Sequence, residues 1–140
     1  VYIWNGFHQL DTSTRAQTLE YLREAESAAR TPDELTVVRV ALASLLRESG
    51  DLDAASKKLD LVDENIKDDR YAVIFAWYER AVIECYRAKD AKPLQASGQW
   101  AEAESWLRRA GDADGYDFDN RLHLRVQLLR SGIAEAQAMP

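Results

Sequence analysis

Apolar positions recur every three or four residues along most of the chain. The pattern is clearest between residues 31 and 67. Leu35, Val38, Leu42, Leu45 and Leu46 repeat at helical spacing, and Leu52, Ala55, Leu59 and Val62 do so again after Ser49-Gly50-Asp51. The first run opens with Thr31-Pro32-Asp33-Glu34: a threonine cap, proline at the first helical position, and glutamate three residues past the cap. Two helices joined by a tight turn are predicted. A hairpin of this kind cannot bury both apolar faces alone, so neighbours of the same kind are expected.

Residues 1–10 are aromatic; Tyr2, Trp4 and Phe7 either pack on the next helix or form a flap against the rest of a longer protein. Asp11-Thr12-Ser13 offers caps for a helix over 14–29, with Leu19, Leu22, Ala25 and Ala29 on one face and Glu20, Arg23 and Glu24 toward solvent. Asp68-Asp69 is expected to cap a helix over 70–88. Here Tyr71, Phe75, Tyr78, Val82 and Cys85 form one stripe, and Ile74, Trp77 and Ala81 a second. So wide an apolar arc predicts a helix covered on two sides. Pro93, within residues 89–96, breaks or kinks the helix. Ser97-Gly98 then predicts a turn, with a helix over 99–110 carrying Trp100, Ala103, Trp106, Leu107 and Ala110 inward. Residues 111–115 read as a turn. Asp117 or Asp119 caps a helix to about residue 130 carrying Leu122, Leu124, Val126, Leu128 and Leu129, and Ser131-Gly132 reads as a third turn before one more helix from 133.

Gly98 and Gly132 stand 34 residues apart, the tetratricopeptide period of about 34 residues, and Gly50 precedes Gly98 by 48. Leu42 and Leu46 precede Gly50 as Leu124 and Leu128 precede Gly132. Ala55 and Leu59 follow Gly50 as Ala103 and Leu107 follow Gly98. A small residue five places after a turn lets the second helix approach the first. These positions resemble those of tetratricopeptide (TPR) repeats, with Ala43 in place of the usual first-helix glycine and Lys67 in place of the terminal proline. The resemblance implies an all-α, TPR-like right-handed superhelix of antiparallel helix pairs, about seven helices in one domain spanning 1–140.

The segment 97–129 is similar to the helical sensor region of MalT-like regulators, ATP-dependent transcription factors of the LuxR superfamily. It carries a Gly-x-x-x-x-Ala-x-x-x-Leu helix with Trp106-Leu107, then a loop and an arginine- and leucine-rich helix. That family implies an NTPase module and a DNA-reading helix-turn-helix elsewhere in the protein; this sequence contains no GxxxxGK[ST] phosphate loop. The first residue is valine, so a fragment of a longer protein is expected.

With 46% apolar residues the chain has enough for a continuous core, and no uncharged apolar run approaches the ~18 residues of a membrane span. A net charge of −6 argues against a general phosphate-binding surface, so no direct nucleic-acid contact is expected. A single cysteine, Cys85, excludes an internal disulfide and a cysteine-rich zinc site and points to a reducing, cytoplasmic setting. The acidic stretch 111–120 fails as a calcium loop: counting from Asp112, Asp117 and His123 stand where glycine and a bidentate glutamate belong. No metal and no cofactor are expected. His8 and His123 have no ligand spacing, Cys85 reads as a small buried hydrophobe, and Glu79, Arg80, Glu84 and Arg87 read as a paired helix surface. No arrangement for catalysis can be argued, and a non-enzymatic protein is expected.

In stacked helix pairs the first helices line a concave surface. Val37, Val40, Ser44 and Arg47 are expected there in one repeat, and Leu122, Val126 and Leu129 in another; being largely apolar, they equally suit contact with a neighbouring helix. Trp77 and Tyr78 suit either core packing or stacking on a sugar or peptide. The expected occupant is a protein partner or small effector, the alternative being a protein–protein scaffold with no small ligand.

Overall fold

The computed structural model describes residues 6–113 and 119–138, and among these every regular element is helical. A 3-10 turn, Gly6–Gln9, leads into α1 (Thr12–Ala28), α2 (Pro32–Glu48), α3 (Leu52–Asp60), α4 (Arg70–Asp90), α5 (Pro93–Asp112) and α6 (Asp119–Ala138). The all-α class is as the periodicity predicts, with six α-helices among the described residues rather than about seven.

The difference lies at two of the three Ser-Gly pairs. Ser97-Gly98 is inside α5 and Ser131-Gly132 inside α6, so neither is a turn. Gly111 also belongs to α5. Burial explains the continuity: Trp100, Ala103, Leu107 and Ala110 on α5, and Leu122, Val126 and Ile133 on α6, are all buried. Each large side chain among them contributes about 1.5–3 kcal/mol, which outweighs the ~1 kcal/mol that a glycine costs a helix. Only Ser49-Gly50 turns the chain. Gly50 sits at φ 88, its N–H bonds Arg47 O at 3.0 Å, and the Asp51 N–H bonds Leu46 O at 2.9 Å, the paired closure of a Schellman end.

From α1 to α5 the helix starts obey local chemistry with one exception. Asp11 Oδ1 accepts from the Thr14 N–H at 2.7 Å, and Thr31 Oγ1 from the Glu34 N–H at 3.1 Å. Asp51 Oδ1 accepts from the Ala54 N–H at 3.1 Å. Pro93 separates α4 from α5 by opening the latter. The exception is α4: Asp69 occupies the cap position without capping. Instead Asp33, in the first turn of α2, accepts the Asp68 and Asp69 N–H groups at 3.0 and 2.9 Å, so a side chain distant in sequence anchors the approach to α4. Phe7 is buried, and its turn packs on α2 rather than on α1, the next helix expected for the aromatic rings. Tyr2, Trp4 and the Asp117 cap lie outside the described residues.

α4 is the centre. It packs on α2, α3, α5 and α6, and its wide apolar arc is buried, with Val73, Ile74, Phe75, Ala81 and Ile83 at most 3% exposed. α2 pairs with α3 and α4 with α5; α3 also touches α4, and α5 touches α6. The α4–α5 pair is antiparallel, since Trp77 faces Arg109 while Arg80 faces Trp106. α1 lies on α2 at one end and buries no residue fully. Glu26 fastens it, binding Arg39 of α2 at 3.2 Å and Lys58 of α3 at 3.0 Å.

Candidate functional site

The nine residues expected along a concave groove belong to the packed interior. Val40, Ser44, Arg47, Trp77, Leu122 and Val126 are buried, and Val37, Tyr78 and Leu129 are half-buried against the same core. The reason is that α2 meets α4, and α4 meets α6. The inward faces of these helices cover one another. Trp77 is no free stacking platform either: the Arg109 guanidinium covers its ring at 4.3 Å, and its Nε1–H donates to Glu64 at 2.8 Å.

Glu79 departs most from its expected place on a paired surface. It is fully buried, and its carboxylate accepts from Arg47 Nε at 2.7 Å and Nη2 at 3.3 Å. Arg47 also donates to Glu48 at 2.9 Å, and Glu48 meets His8 Nδ1 at 3.1 Å. A polar chain thus runs from the 3-10 turn through α2 into α4. Burial raises the Glu48 pKa, but the His8 hydrogen bond and the Arg47 charge outweigh this and hold it below the usual carboxylate value. Beside the pair, burial and the Glu79 charge push the Tyr78 hydroxyl up to about 12. The pair is bidentate and buried where α2 meets α4, each charge neutralising the other.

A different feature is open to solvent. α3 and α5 flank α4 and leave a cleft of about 560 Å³. Ile83 lies at its floor, Arg80, Glu84 and Arg87 come from α4, Ser56 and Asp60 from α3, and Gln99, Glu102 and Trp106 from α5. Two ion pairs cross from α4 to α3: Arg80 to Asp60 at 3.0 Å and Arg87 to Asp53 at 3.1 Å. Arg87 also binds Glu84 at 2.8 Å, a pairing within the helix at three-residue spacing. Burial lowers the Arg87 pKa, but its hydrogen bonds to Glu84 and Asp53 more than reverse that, so it stays charged. On the α5 wall, Trp106 faces the guanidinium groups of Arg80 at 5.0 Å and Arg109 at 5.6 Å.

Gln99 Oε1 is buried and has no hydrogen-bond partner among the described residues. Nothing in the sequence marks Gln99, because its environment is made by α4 and α3. A larger depression of about 790 Å³ runs past Leu19, Glu20, Arg23 and Glu24, lined among the described residues by α1 alone. Among the described residues no three His, Cys, Asp or Glu side chains converge as metal ligands, and no helix is long and apolar enough to cross a membrane. Burial pushes the Cys85 thiol up to about 11, which removes its nucleophilic form near neutrality. No protein-family model, curated protein or solved structure matches the chain.

Proposed function

We propose that this chain is a non-catalytic, TPR-like helical segment that binds a segment of another protein in the cleft between α3 and α5. The observation that carries this is the cleft itself: three helices converge on it, and its charged side chains line a volume of about 560 Å³. Ligand sites span about 300–1,000 Å³ and are mostly apolar when the ligand is a small molecule. Here Ile83 alone among the lining residues has no polar side-chain atom, and Trp106 adds a single indole N–H donor. That composition favours a protein segment over a small apolar effector, and so favours the scaffold alternative.

The order of neighbours supports the TPR-like reading. First helices α2, α4 and α6 touch in succession, and each second helix, α3 and α5, touches its own first helix and the next. Stacked helix pairs have this connectivity. A segment seated between α3 and α5 would change their separation, and the shift would pass along the stack to attached modules. Within the same proposal, a MalT-like regulator would carry a phosphate loop before this segment and a helix-turn-helix after it, which the full-length sequence tests.

The binding test is selection of random short peptides against the whole chain, followed by amide hydrogen exchange with the winners. Protection confined to α3, α4 and α5, lost in Trp106→Ala, is expected. If no peptide is enriched, or protection falls elsewhere, the proposal fails.

A further inference from the structure

We infer that the α3–α5 cleft receives a cationic side chain, the lysine or arginine of a basic protein segment. This rests on the interaction reading above and narrows it to one class of partner.

Both guanidinium groups in the cleft are already satisfied: Arg80 by Asp60, and Arg87 by Asp53 and Glu84. What remains is acceptors. Glu102 lines the cleft, is exposed, and has no ion-pair partner among the described residues. Gln99, three residues earlier on α5 and so on the same side of the helix, also lines the cleft, and its buried Oε1 has no donor among the described residues. A buried acceptor left unsatisfied costs about 1–3 kcal/mol, and a donor brought by a ligand recovers it.

The charge balance agrees. The lining holds three carboxylates, Asp60, Glu84 and Glu102, against two guanidinium groups, and the chain as a whole carries −6. An approaching cation is therefore attracted both at long range and at the site. An acidic segment would instead have to pull Arg80 or Arg87 from carboxylates held at 2.8–3.1 Å.

The test titrates the whole chain with a short lysine- and arginine-rich peptide and with its glutamate counterpart, reading tryptophan fluorescence and heat. The basic peptide is expected to bind and the acidic one not to. Glu102→Gln removes one charge-assisted acceptor, and Gln99→Leu keeps bulk without the acceptor; each is expected to weaken binding about tenfold. Gln99→Leu should leave the unfolding midpoint unchanged or raised, which separates lost binding from lost folding. Glu20→Gln, the same charge change on α1, should alter affinity less than about twofold at physiological salt, where the screening length is about 8 Å. Equal effects of Glu20→Gln and Glu102→Gln would mean attraction by overall charge and would overturn the assignment. Binding of the acidic peptide alone, or selected peptides at the cleft with no basic residue, overturns the cation class but leaves the interaction reading. Failure of every peptide removes both.

Discussion

Gly50, Gly98 and Gly132 each come after serine in the same dipeptide, yet alanine should act on them with opposite signs. At Gly50 the backbone has φ 88, and nothing lies within 4 Å of an added Cβ. The penalty is therefore conformational: about 1–2 kcal/mol for an L-residue in the left-handed region. The stiffer unfolded chain offsets about 0.4–1 kcal/mol of it, leaving a net loss of about 1 kcal/mol. At Gly98 and Gly132 an added Cβ also meets nothing within 4 Å, but the backbone is helical. Alanine then gains about 0.8–1 kcal/mol at each site, less at Gly132 where the helix nears its end. Urea unfolding read by tryptophan fluorescence measures this directly. With a slope of about 2 kcal/mol per molar, Gly98→Ala should raise the midpoint by about 0.4–0.5 M and Gly50→Ala should lower it by a similar amount. A fall in stability for Gly98→Ala would refute the continuous α5 and restore a turn at 97–98, and with it the 34-residue spacing of turns.

Three further outcomes are expected. Arg47→Met leaves the buried Glu79 carboxylate without its guanidinium and should cost about 3–5 kcal/mol, whereas pairing it with Glu79→Leu should recover most of that; a loss below about 1 kcal/mol in the single variant, measured by the same unfolding, would show the pair to behave as an exposed one. Glu26 and Glu48 have folded pKa values held below the ordinary 4.5, so their contribution is complete above about pH 4.5 and is lost as pH falls through the lower folded values. Circular dichroism should show acid unfolding in that range, shifted to higher pH in Lys58→Met, which removes a partner of Glu26. Cys85 is 5% exposed with its thiol raised to about 11, and should react with a thiol reagent at neutral pH only at the rate of unfolding; rapid stoichiometric labelling of the native chain would contradict its burial.

The functional expectations were legible unevenly. Arg80, Glu84 and Arg87 can be read as charged helix positions from spacing alone, and the Glu84–Arg87 pair follows from three-residue separation. Glu79 could not be placed by the same rule. It lies between Tyr78 and Arg80 on a helix buried on several sides, so its depth depends on where α2 packs. The groove positions lie in the packed interior for a related reason. Periodicity finds the apolar side of α2, α4 and α6 but does not say whether that side faces a partner or another helix of the chain.

The all-α class, the starts of α1, α2 and α3 and the Schellman turn at Gly50 are written in neighbouring residues, because caps and left-handed glycine act within four or five positions. The apolar arc of α4, too wide to leave uncovered, is equally plain along the chain. Other outcomes required the helices to meet. Ser97-Gly98 and Ser131-Gly132 stay helical, Asp33 rather than Asp69 holds the approach to α4, and the open polar surface lies between α3 and α5. Each of these turns on burial and on contacts between residues far apart in the chain, whose energies exceed the local preferences they override.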